Sequence, residues 1–147
     1  MLMAIEWTER LSIGNEILDL DHKEMFGLAG DIECAIKAMD HSALDQAFKQ
    51  LRDCMGRHFL NEELFAHALN IPFAEHHLDH QNILAGIDLV RREIRGNVEE
   101  KIFIVEHYTK LLQIWMLKNN IEHDMLMKPM LQTRQYDFKI EGVFAGI

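Results

Sequence analysis

Residues 58–80 read His58-Phe59-Leu60-Asn61-Glu62-Glu63-Leu64-Phe65-Ala66-His67-Ala68-Leu69-Asn70-Ile71-Pro72-Phe73-Ala74-Glu75-His76-His77-Leu78-Asp79-His80. Asn70-Ile71-Pro72 interrupts this stretch, because a residue preceding proline avoids helical geometry and proline has no N–H to give to a helix. On either side the pattern is helical. Before the break, His58 and Glu62 stand four residues apart; after it, so do His76 and His80. Each pair therefore shares one face of its helix. Two helices joined by so short a connection run antiparallel, and both polar pairs lie at the end where the chain turns.

Working outward, the spacing predicts four helices. The first runs from about Leu18 to Ala38, with apolar residues at Phe26, Leu28, Ala29, Ile32, Ile36 and Met39. Met39-Asp40-His41-Ser42 breaks it, and Ser42 with Asp45 three residues on resembles a capping box that opens a second helix reaching about Leu69. The third extends from about Phe73 to Arg95, with Gly96 suited to a left-handed stop. Asn97 caps a fourth that reaches about Lys128, ahead of Pro129. Residues 1–16 read as an extended arm in which Ile5, Trp7, Leu11 and Ile13 alternate with polar residues, and Gly14 permits a turn. Residues 129–147 form a tail without an assigned structure. The expectation is one all-α domain over 1–147: an arm, an antiparallel up-down-up-down four-helix bundle over 17–128, and the tail.

Composition narrows the functional classes. With 24 acidic against 15 basic residues the formal charge is -9, which disfavours nucleic acid and anionic membrane as partners. No apolar run approaches the roughly 18–20 residues of a membrane span. Met1 to Glu9 lacks the basic-then-apolar order of a secretory signal. Cys34 and Cys54 fall within helical patterns, so reduced thiols in a cytoplasm are the expectation.

The chain carries 9 histidines, and their placement is informative. His22 lies 19 residues before His41, and His58 and Glu62 lie 17 and 21 residues after it. At about 1.5 Å rise per residue these reach similar heights in the barrel. His76 and His80 arrive at the same height from the loop at Gly96. The fourth helix brings Asn119 near, with Asp124 beyond. Imidazole and carboxylate together suit iron, manganese or zinc, and burying so many polar groups without a cation costs several kcal/mol, on the order of 2–7 per unpaired group. The candidate ligands are His22, His58, Glu62, His76, His80 and Asp124. His41, His67, His77 and His107 are read as ordinary surface or loop residues, and the Met residues, Phe26 and Trp115 as core.

These motifs resemble those of bacterial hemerythrins, the HHE-type domain family, over roughly residues 5–128. The resemblance lies in Ile5-Glu6-Trp7, Ser12-Ile13-Gly14-Asn15, Leu18-Asp19-Leu20-Asp21-His22, the His58-Phe59-x-x-Glu62-Glu63 block, and Pro72 followed by His76-x-x-x-His80. It implies two non-haem irons, oxo-bridged, with His22 and His58 on one and His76 and His80 on the other. Glu62 and Asp124 would bridge them. It further implies O2 binding for storage, delivery or sensing at the two-histidine iron, with no catalytic residue.

One position departs from the family pattern. A His is expected after Trp115 and five residues before Asp124, and Asn119 stands there. Asn119 offers only a neutral carbonyl oxygen, so the second iron is expected to be weakened; His123, one turn on, is the alternative ligand. The departure keeps two other functions in view: a diiron redox enzyme reacting with NO, peroxide or O2, and a metal-poor sensor or interaction domain. The tail, apolar at Phe138, Ile140, Val143 and Phe144, is expected either to cover the open end of the bundle or to mediate self-association. The sequence leaves the oligomeric state open.

Overall fold

The computed structural model describes residues 5–96 and 98–143. Its main elements are α1 (Glu16–Lys37), α2 (His41–Ala68), α3 (Ala74–Ile94) and α4 (Val98–Glu122), followed by a short α5 (Lys128–Leu131). Single 3-10 turns form at Glu9–Leu11 in the arm and at Asp124–Met127 after α4. Among the described residues there is no strand. Each long helix packs on the next in sequence, and α4 closes the ring against α1. This is the expected four-helix bundle.

Helix ends follow local chemistry. Asn15 caps α1, its side-chain oxygen accepting from the backbone N–H of Ile17 and Leu18 at 3.0 and 3.3 Å. This satisfies two N–H groups that have no partner within the helix. α1 ends with Met39 at φ 52° and α2 with Asn70 at φ 56°. In each case the following N–H reaches back across the last turn, Asp40 to Ala35 O at 3.1 Å and Ile71 to Ala66 O at 2.8 Å, the Schellman arrangement.

Three expected boundaries shift, and a fourth is not described. The cap of α2 is Asp40, whose Oδ1 accepts from Ala43 N at 3.0 Å, so Ser42 lies inside the helix and His41 is its first residue. Gly96 does not take a left-handed conformation; its N–H instead bonds Glu93 O at 3.2 Å, a tightened last turn. The expected Asn97 cap lies outside the described residues. Pro129 does not end the fourth helix. α4 stops at Glu122, six residues before Lys128, and Pro129 occupies the first turn of α5, where its missing N–H costs nothing.

The interior has two apolar clusters. The larger fills the length of the bundle around Phe26, Ile32, Phe48, Leu51, Met55 and Leu112. The smaller gathers Ile13, Leu18, Phe65, Leu69, Met127 and Leu131, with Phe138, Ile140 and Val143 of the tail packed against it. Asp19 ties arm and tail to this end: Ser12 Oγ donates to it at 2.6 Å, Ile13 N at 2.9 Å and the Tyr136 hydroxyl at 2.8 Å. Asn15 Nδ2 donates to Phe138 O at 2.8 Å. Over the described residues, therefore, the tail covers the end of the bundle; Phe144 lies outside them.

Candidate metal centre

Between the two apolar clusters lies a buried polar layer. His22 sits about one turn from Leu18 on α1, and Glu62 about one turn from Phe65 and Ala66 on α2. Asp124 is carried inward by the 3-10 turn after α4. His22, His58, Glu62, His80 and Asp124 are all at most 2% exposed. His22 Nε2 lies 3.0 Å from His58 Nε2 and 2.9 Å from Asp124 Oδ2. Glu62 Oε2 lies 3.2 Å from His58 Nε2 and 3.8 Å from His80 Nε2, and Glu62 Oε1 lies 3.7 Å from His76 Nδ1. Three helices and the turn that follows α4 contribute to the layer.

Within the layer, His22, His58 and Asp124 form the tightest group, each offering one donor atom within 4.8 Å of the others. His76 and His80 stand across Glu62 from it, ring centroids 6.1 Å apart. The His80 ring is held flat on Phe59, centroids 3.7 Å apart and planes within 4°, with Trp115 edge-on at 6.5 Å. Phe73 packs edge-on to both His76 and His80. Asn119 is buried at the rim, its Nδ2 3.4 Å from Asp124 Oδ1, a long hydrogen bond. His123 stands at the break after α4, its ring edge-on to that of His76 with centroids 4.7 Å apart. His67 and His107 are exposed and outside the layer, as is His77, whose Nδ1 lies 4.0 Å from Glu63 Oε1.

One residue of the site carried no role in the sequence reading. Asp21 Oδ2 lies 3.0 Å from His58 Nδ1 and accepts from Asn61 Nδ2 at 3.2 Å. Asp21 is adjacent to His22 but about 100° round the helix, so it faces α2 rather than the centre of the layer. That adjacency was the available signal.

The donor set fits a cation. His22 Nδ1, both nitrogens of His80 and both oxygens of Glu62 are buried and make no hydrogen bond of good geometry. Unpartnered buried groups of this kind are rare and costly unless something else satisfies them. Burial pushes the Glu62 carboxyl well above the usual carboxylate range, and the neighbouring Asp124 charge raises it further. Burial acts on Asp124 in the same direction, but its hydrogen bond to His22 and the His22 charge outweigh that effect and hold it below the usual range. Burial also pushes His80 down to about 3 and lowers His76. The layer thus presents the two α3 imidazoles in neutral form and one ready carboxylate, with a second carboxylate that needs added positive charge to ionise. A bound cation supplies that charge.

Imidazoles and carboxylates directed from three helices and the turn after the fourth into one buried layer define a cation-binding helical bundle. The chain belongs to the hemerythrin family: the model described as Hemerythrin HHE cation binding domain matches residues 13–131. Comparison with curated proteins and with solved structures gives no match. Among the described residues, no helix is long and apolar enough to cross a membrane.

Proposed function

We propose that the chain is a non-haem diiron protein that binds O2, for storage, delivery or sensing. In this reading His22 and His58 hold one iron, His76 and His80 the other, and Glu62 and Asp124 are shared between an oxo-bridged pair. The observation that carries the proposal is the unsatisfied state of Glu62 and His80 amid imidazoles from three helices. Iron held there supplies an open coordination position for a diatomic ligand. Histidine-rich ligation without a second Glu-x-x-His pair favours binding over oxidative chemistry. The chain's own residues do the rest: Asp21 fixes the tautomer of His58, and Phe59, Phe73 and Trp115 keep water from the His80 side. Free Cys34 and Cys54 fit a cytoplasmic location.

Asn119 favours a second reading. Its amide is turned to Asp124 at 3.4 Å, so it supports that carboxylate in place of ligating. The second iron is then held more weakly, unless His123 swings from its contact with His76 into the third position. A weakly held, more open iron favours redox reaction with NO, peroxide or O2 over reversible binding.

Anaerobic iron loading followed by O2 titration separates these. A coloured form that is stable in air and reversed by removing O2 supports the binding role. Rapid conversion to the oxidised form supports the redox role, and the absence of any iron-dependent spectrum rejects both. Asn119→His is expected to raise retention of the second iron; unchanged retention would remove Asn119 from the account.

A further inference from the structure

The outward face of α4 is apolar. Residues 104, 107, 111, 114, 118 and 121 are all exposed and recur at alternating intervals of three and four, the spacing of a two-stranded coiled-coil seam. They are Ile104, His107, Leu111, Ile114, Lys118 and Ile121. Ile104 is 61% exposed and Phe103, flanking the stripe, 80%. The inward face sets Val105, Leu112 and Met116 beside buried polar residues, Thr109, Gln113, Asn119 and Asn120, with Gln113 Nε2 without a partner. A helix that shows water its aliphatic residues while burying amides departs from the pattern of a surface helix.

We propose that this face of α4 pairs with the same face of a second copy of the chain, the two helices antiparallel about a twofold axis between Leu112 and Gln113. That register sets Ile104 of one copy against Ile121 of the other, and Leu111 against Ile114. Lys118 then meets His107, whereas a parallel pair would bring Lys118 against itself. The stripe holds no Asp or Glu although the chain carries a net charge of -9, so like-charge repulsion lies away from the seam. Phe103 and the four aliphatic residues expose roughly 500 Å² per copy, at the upper end of the largest apolar patch on an ordinary monomer. Pairing covers roughly 1,000 Å² in total, where specific interfaces begin. A self-complementary patch of this kind is what a twofold dimer requires.

Sedimentation equilibrium of the full chain across the micromolar range tests the pairing. The expected mass is twice the 17.2 kDa of one chain, and the double substitution Leu111→Glu/Ile114→Glu is expected to return it to one chain with helicity unchanged. Leu60→Glu, an exposed change on α2, is expected to leave the dimer intact. Disulfide trapping in a Cys34→Ser background reads the orientation without relying on the charged variant. Ile104→Cys with Ile121→Cys is expected to cross-link, and Ile104→Cys alone is not. A wild-type chain that stays single, or a charged variant that folds and stays paired, overturns the proposal. Cross-linking through Ile104→Cys alone overturns the antiparallel register.

Discussion

Asp21 and His58 form a buried carboxylate–imidazole pair, Oδ2 to Nδ1 at 3.0 Å, on the side of the ring away from the polar layer. The pair fixes Nδ1 as the protonated nitrogen and leaves Nε2 free to face His22 and Glu62. Asp21→Asn keeps the shape but loses the charge that holds this tautomer. The expected result is a drop in iron affinity of about 10–100-fold, measured by competition with a chelator, with helicity retained. Unchanged affinity would show that Asp21 serves only local packing.

His80 is positioned by its stack on Phe59. Phe59→Ala removes a buried ring and opens a void beside the imidazole, at a cost of about 3–5 kcal/mol in stability. Phe59→Leu restores most of the volume without the flat surface and is expected to cost less. Urea unfolding of the metal-free chains checks the order, and an equal cost for the two would argue against the void.

Asp19 joins α1 to both the arm and the tail. Removing it in Asp19→Ala leaves three donors unpaired, two of them on the arm, at a cost of about 3 kcal/mol if each bond contributes about 1. Tyr136→Phe breaks the tail bond alone and is expected to cost about 1 kcal/mol. Hydrogen exchange should locate the difference. Tail amides around Phe138 are expected to exchange faster in both variants, and arm amides around Ile13 only in Asp19→Ala.

Acid is expected to destabilise the metal-free chain through the α3 imidazoles. In the unfolded chain these titrate near 6.5, whereas burial holds His80 at about 3 and lowers His76. Between those values the unfolded state binds protons that the folded state refuses. The contribution is present in full above about 6.5 and lost as pH falls towards 3. Glu62 acts with the opposite sign: its raised carboxyl gains a proton in the folded state first, so its burial costs most at neutral and alkaline pH. Glu62→Gln is therefore expected to raise metal-free stability at pH 8 while weakening iron binding. A lower stability at pH 8 would contradict this assignment.

The four helices and their order could be read from the chain because the apolar spacing is long and the breaks at Met39–His41 and Asn70–Pro72 are sharp. The convergence of His22, His58, Glu62, His76 and His80 was legible for a related reason: rise per residue converts sequence distance into height. Local choices were not. Asp40 displaced Ser42 as the α2 cap because each offers a suitable oxygen and the helix begins where backbone geometry permits. The 3-10 turn that carries Asp124 inward left no mark in a sequence whose obvious breaker, Pro129, comes later. Asp21 was in view beside His22, but only the packing of α1 on α2 shows that it faces His58. The apolar outer face of α4 went unread because the fourth helix was placed from its cap and its breaker, without following its apolar spacing.

The central claim is that the layer around His22, His58 and Asp124 holds iron, and the most direct test is the iron retained per chain after anaerobic loading and exhaustive desalting. The account predicts retained iron in the wild-type chain, with one equivalent lost to chelator before the other, and its loss in His22→Ala/His58→Ala despite a retained helical spectrum. A wild-type chain that emerges without iron, or a double variant that keeps as much as wild type, would contradict it.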